Sequence, residues 1–173
     1  MPCLDSLPGL KLAPRMNDVL VQAFRYNRWA NLHVLDVCST LDEPQLQLAA
    51  PGTYGTIAAT LQHLLAAEQR YVKRLLGSVP RLSEKDEFPG VARLSEHAMR
   101  SGDDLIEAAG VDPDGSTPDG DRRVKHWVVM TQAIHHGTDH RTQICTILGQ
   151  NGISCGDMDV WAYGEAGGGY ETC

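Results

Sequence analysis

The chain is short of positive charge, of aromatic rings and of long apolar runs. It has 15 Lys and Arg against 22 Asp and Glu, a formal net charge of −7 with His neutral. It therefore lacks the cationic excess that tracks a phosphate backbone, and no nucleic-acid partner is expected. No stretch approaches the ~20 apolar residues that span a bilayer. The opening MPCLDSLPGLKLAPR carries no basic segment ahead of a long apolar one, so a soluble cytoplasmic protein without a membrane partner is predicted. Cysteine is sparse and irregular: Cys3, Cys38, Cys145, Cys155 and Cys173 form no CxxC and are odd in number, so a disulfide framework is not expected. Cys38 and Cys145 read as small buried hydrophobes, the other three as tail or loop residues. Convincing strand alternation and internal repeats are missing as well.

What remains is helical. A chain of 173 residues, 42% hydrophobic, suits one domain with a single core. Residues 1–15, with Pro2, Pro8 and Pro14, read as an irregular N-terminal arm, and 16–173 as the domain. Behind Asn17 and Asp18 as candidate caps, Leu20, Phe24, Ala30, Val34, Cys38 and Leu41 recur at helical spacing until Pro44. Asn27 and Asn31 interrupt that stripe as a polar notch. After a loop rich in Pro and Gly, Thr56 can cap a second helix that Gly77 stops near Leu76. A third helix is expected from about Val91 to Ala109, with Gly102 weakening its interior by roughly 1 kcal/mol. DPDGSTPDGD reads as a loop, followed by a final helix from about Arg123 to Leu148. Val160, Trp161 and Tyr163 form a short C-terminal patch able to dock on the rest. The expectation is an all-α four-helix bundle with long loops, room for crossover connections and a short C-terminal extension.

Seven histidines ask for a reason. In AIHHGTDHRTQ, His136 and His140 lie one turn apart and ~40° around the helix. His135 is ~100° away from His136 and cannot share that face. The stripe of His136 runs through Val129, Ala133, Ile144 and Ile147, which turns the pair toward the bundle, where imidazoles need partners. A third ligand must come from a facing helix. His63, with Ala59, Ala66 and Ala67 at helical spacing, leaves room for an ion and a bound molecule. Three neutral imidazoles would leave a divalent ion its full charge and open positions, a catalytic pattern. Gly137 stands where an H-E-x-x-H protease would place its Glu. The paired carboxylates of a di-iron bundle are missing too.

Three segments resemble the DinB/YfiT-like superfamily of metal-binding four-helix bundles: RYNRWAN at 25–31, HLLAAE at 63–68 and HGTDHRTQ at 136–143. The resemblance implies that His63, His136 and His140 hold one divalent metal ion, which in family members is nickel, zinc or iron. It implies a homodimer and, among known activities, transfer of low-molecular-weight thiols and thiol-dependent isomerisation. The preferred reading is a thiol S-transferase that joins a low-molecular-weight thiol to an electrophile, the small-molecule substrates expected. Metal-dependent hydrolysis and a noncatalytic, stress-related metal-binding dimer are the alternatives. Arg141 and Gln143 follow the second His of the late motif; Gln143 could support His140 from behind, and Arg141 could pair with an acidic group on another helix. Asn27, Asn31 and Trp29 are candidate pocket residues on the first helix.

Overall fold

The computed structural model describes residues 16–167 and 169–170, with side chains from Val19 onward. The predicted N-terminal arm, Cys3 and Cys173 lie outside the described residues. The elements are α1 (Met16–Ser39), α2 (Glu43–Leu46), α3 (Ile57–Leu76), α4 (Val91–Ala108), β1 (Ser116–Asp119), β2 (Arg122–Lys125), α5 (His126–Gln150) and α6 (Val160–Ala166). The four long helices form the bundle, and local signals set their ends. Thr56 Oγ1 accepts from the Ala59 N–H at 3.1 Å, satisfying a donor that the first turn of α3 cannot pair internally. At the other end Gly77 turns left-handed, with φ +77°, a conformation only glycine adopts without strain.

Two segments expected as loop carry structure. Pro44 lies in the first turn of α2, where its missing N–H costs no helical bond. Asp42 caps that turn in a reciprocal box with Gln45. The run after α4 folds into an antiparallel hairpin that pairs Ser116 with Lys125 and Asp119 with Arg122. Gly120, at φ +64°, makes the turn. The run gave no strand signal because among its eight strand residues only Val124 is apolar and half-buried. At the C-terminus Tyr163 of α6 packs on Tyr26 and Trp29, ring centroids 6.0 and 5.6 Å apart, while Val160 and Trp161 remain exposed.

Each long helix packs along two of the others. α1 packs on α4 and α5, and α3 packs on the same pair, so α1 and α3 face each other across the bundle and their connection crosses it. Two apolar clusters fill the interior. One joins Val34, Cys38, Ile57, Leu61, Leu94 and Ile144; the other joins Phe24, Val72, Leu105, Val129 and Ala133. Followed along the chain, these clusters set α1 and α5 running one way and α3 and α4 the other.

Between the clusters lies a layer of buried polar side chains. Glu68 Oε2 accepts from Asn27 and Asn31, both at 2.9 Å, and Ser101 Oγ donates to Glu68 Oε1 at 2.5 Å. Arg141 Nη1 donates to the carbonyl oxygens of Asn27 at 2.8 Å and Asn31 at 2.6 Å. Its guanidinium lies 5.7 Å from the centre of the Tyr26 ring. Gly137 makes this possible: a Cβ there would collide with Asn27 Oδ1 and come within 2.8 Å of Arg141 Nη1.

One sequence expectation is overturned: Cys145 and Cys155 form a disulfide. The chain reverses after α5 at Gly152, with φ +74°, and brings the loop back along the helix, a proximity no short cysteine spacing encodes. Cys38 is buried as expected, and its thiol is pushed up to about 12 by that burial.

Candidate metal centre

His63 on α3 and His136 and His140 on α5 meet at the interface of those two helices. One ring nitrogen from each lies within 4.8 Å of the others, and the Nε2 atoms of His63 and His136 are 3.0 Å apart. A metal–nitrogen bond of about 2.1 Å places cis ligands roughly 3.0 to 3.4 Å apart in octahedral or tetrahedral geometry, so the His63–His136 spacing suits two ligands on one ion, with His140 beside them. His135 points to solvent, as its angular offset requires.

The far side of two rings is fixed. Gln143 Oε1 lies 3.1 Å from His140 Nδ1, and the same oxygen accepts the Tyr54 N–H at 3.0 Å. One amide thus orients a histidine and ties the 51–55 loop to α5. Glu84 Oε2 lies 2.9 Å from His63 Nδ1, at ion-pair distance but without hydrogen-bond alignment. Arg70 Nη1 holds the other Glu84 oxygen at 2.6 Å, and the Tyr54 hydroxyl donates to Oε2 at 3.0 Å. Carboxylate and amide acceptors behind ligand imidazoles select the tautomer that presents Nε2 forward. The Tyr54 ring stacks on His63 with centroids 3.9 Å apart and is about half exposed, so it forms the solvent-side wall.

The surroundings disfavour the charged form of two of the imidazoles, His136 and His140. Burial, then the neighbouring His140 and His63, lowers His136 to about 4. Burial lowers His140 as well, against the hydrogen bond with Gln143. Burial would raise the Glu84 carboxyl, but the close contacts with His63, Arg70 and Tyr54 outweigh it and hold the group at about 2. Neutral rings with free Nε2 lone pairs are the protonation state a metal requires. The donor set fits one divalent cation with positions left over, and no fourth His, Cys, Asp or Glu joins the group among the described residues.

The other sequence candidates sit elsewhere. Asn27 and Asn31 are wholly buried and bonded to Glu68 and Arg141, so they organise the core beside the site rather than its mouth. Trp29 packs with Tyr26, His33 and Tyr163, on the side of α1 that receives α6.

Sequence reasoning missed Glu84, Tyr54 and Arg70. Glu84 lies in SEKDE, which reads as a solvated charge run. Its position is fixed by α3: Gln62 donates to the carbonyls of Ser83 and Asp86 at 2.8 and 3.0 Å. Gln69 accepts the Arg81 N–H at 2.7 Å, and Leu82 is buried. The available signal was that lone Leu between polar residues, an anchor two positions before the carboxylate.

With this geometry in place, the comparisons identify the family. The DinB family profile matches residues 16–169, nearly the whole described chain, and the chain belongs to the DinB family. A search of curated proteins gives no match.

Proposed function

We propose that this chain is a divalent-metal-dependent enzyme whose ion, nickel, zinc or iron, is held by His63, His136 and His140, and that it transfers a low-molecular-weight thiol to an electrophile. The observation that carries the reading is three convergent imidazoles with two backs braced by Glu84 and Gln143 and no fourth protein ligand in the group among the described residues. A structural zinc site closes with four protein ligands; an open one serves chemistry. When bound, a divalent cation supplies the Lewis acidity that brings a thiol or water to its anion near neutral pH.

The chain's own residues then favour thiol over water. Metal-assisted hydrolysis of peptides commonly adds a protein base beside the ligands, as the Glu of H-E-x-x-H does. The nearest carboxylate, Glu84, is engaged by Arg70, Tyr54 and His63 and is held at about 2, which makes it a weak base and a good orienter. A thiol ionises more readily than water and needs less help. In the transfer the thiol proton passes to solvent, sulfur forms the new bond to carbon, and the electrophile's leaving group departs with the electrons of the bond it breaks. Tyr54, half exposed over His63, walls the space in which sulfur and carbon meet. The protein is proposed to work as a homodimer, which light scattering tests: the mass of a single 18.9 kDa chain at micromolar concentration overturns it.

The test of the function is elemental analysis of untagged protein purified without added metal, followed by turnover of electrophiles with several thiols by loaded and metal-stripped protein. Stoichiometric metal and metal-dependent conjugation support the reading. Metal-dependent ester or amide cleavage without thiol selects the hydrolase, and bound metal without turnover selects a noncatalytic metal-binding dimer.

A further inference from the structure

We infer that a cleft beside the candidate metal centre binds the oxyanion end of the substrate, a carboxylate or phosphate group. The inference rests on the metal-enzyme reading and narrows its substrate class to anionic small molecules. The cleft has a volume of about 800 Å³ and lies between the C-terminal half of α3, the loop following it and the edge of the hairpin. Four cations, Arg70, Lys73, Arg74 and Arg81, line it against one carboxylate, Asp86. That is a local excess of positive charge in a chain whose net charge is −7.

Two of these cations have structural work. Arg74 donates to Asp119 at 2.7 Å and to the Pro118 carbonyl at 3.2 Å, fastening the hairpin to α3. Arg70 holds Glu84. The Lys73 and Arg81 side chains make no ion pair or hydrogen bond among the described residues, and both stand at the cleft wall. The one carboxylate on the wall is also occupied, since Asp86 accepts from the Ser83 N–H at 3.1 Å. A cleft whose free side chains are cationic and whose acid is engaged concentrates an anion, and guanidinium groups match oxyanions in shape as well as charge.

Position relates the cleft to the chemistry. Arg70 belongs to its wall and also grips Glu84, which stands 2.9 Å from the His63 ring. The cleft therefore meets the histidine cluster through Arg70, while Lys73 stands ten residues beyond His63 on α3, ~15 Å along its axis. The loop that carries Glu84 also supplies Arg81, Leu82 and Ser83 to the cleft, so the two sites share a wall.

Binding of inorganic phosphate, citrate and uncharged glycerol, followed by calorimetry and by amide shifts in NMR, tests the inference on the full chain, with Lys73→Gln, Arg81→Gln and the double variant. Phosphate or citrate should bind and glycerol should not, and whichever anion binds tighter identifies the preferred group. Losing one charge-assisted contact should weaken binding about tenfold, and losing both more. Anion affinity in the double variant within twofold of the parent, or no anion binding in the parent, overturns the inference. Metal per chain measured on the same samples keeps the two readings apart. Unchanged metal with lost anion binding supports the cleft, whereas anion binding in protein that takes up no metal sinks the enzyme reading and leaves the cleft as an anion site.

Discussion

Two polar groups interrupt the apolar interior of this bundle, and they are built in opposite ways. In the layer of Asn27, Asn31, Glu68, Ser101 and Arg141, donors and acceptors point at one another and every member is buried. In the cluster of His63, His136 and His140, the rings are braced from behind and their Nε2 atoms crowd together at the front. The first closes on itself and offers nothing to a ligand. The second is completed only by something added. A satisfied buried network specifies the packing of helices, whereas convergent lone pairs with nothing to accept them mark a place that can take an ion. The same late motif feeds both, since His136 and His140 face α3 and Arg141, the next residue, turns to α1.

The largest expected effect comes from breaking the closed layer. Arg141→Met removes the only cation of the network and leaves Glu68 buried with two asparagines that have lost their acceptor role. A stability loss of about 3–5 kcal/mol is expected, the usual cost of stripping one partner from a buried charged network, measured by chemical denaturation. Burial raises the Glu68 carboxyl against the hydrogen bonds of Ser101, Asn27 and Asn31 and the charge of Arg141. A group with a raised folded pKa contributes stability that is fully present below its unfolded value and lost as pH rises through the folded one. The penalty of Arg141→Met should therefore be greatest near neutral pH and shrink as the medium is acidified and Glu68 takes up its proton. Equal loss at both pH values would show that Arg141 acts by packing alone.

Breaking the open cluster should do the reverse, costing metal and little fold. In His136→Ala only two imidazoles remain, and metal affinity should fall by about a hundredfold or more. His135→Ala, on an exposed ring ~140° from His140, should keep metal at the level of the parent. Metal per chain decides it, with helicity checked in both; full occupancy in His136→Ala with loss in His135→Ala would reverse the assignment. A smaller change is expected from Glu84→Gln, which removes the charge behind His63 but keeps its shape. Loss of such a supporting group lowers metal affinity about 10- to 100-fold, and an unchanged dissociation constant in a chelator competition would demote Glu84 to a loop residue.

The two regions were unequally legible. The helices and the histidine faces follow from periodicity, because a residue's direction on an α-helix is fixed by its number. His136, His140 and the exclusion of His135 could be read that way, and Asn27 and Asn31 stood out as polar residues on an apolar stripe. Their partners could not be read. Whether an inward Asn meets a metal-bound ligand or a buried Glu depends on which helix lies opposite, and α1 faces α3 across the bundle by a crossover that no local signal announces. Glu84 and the Cys145–Cys155 disulfide share that limit, since each depends on a loop doubling back onto a helix. Gly102 carries a subtler version. Its helix propensity is poor, and the sequence presents that as a weakness; the structure shows the Arg28 side chain packed where its Cβ would be.

Gly102→Ala is the smallest of these effects and tests whether the regions are independent. Backbone preference and packing oppose each other here. Alanine in a helix interior gains roughly 1 kcal/mol over glycine. Against this, the new Cβ would stand 2.5 Å from Arg28 Cγ and 2.8 Å from Arg28 Cβ, and the second of these atoms is fixed to the α1 backbone and cannot swing away. Overpacking of this kind costs about 1–3 kcal/mol, because α1 and α4 must separate and Arg28 must give up its 3.0 Å ion pair with Asp103. The expected net is a loss of roughly 0–2 kcal/mol, the steric cost outweighing the gain in propensity. Gly102 adjoins Ser101 in the closed layer and lies on α4, which contributes no histidine to the cluster, so metal affinity should stay at the parental value while the midpoint of denaturation falls. A gain in stability would show that α1 and α4 yield without cost, and a fall in metal affinity would show that the closed layer and the open cluster move as one.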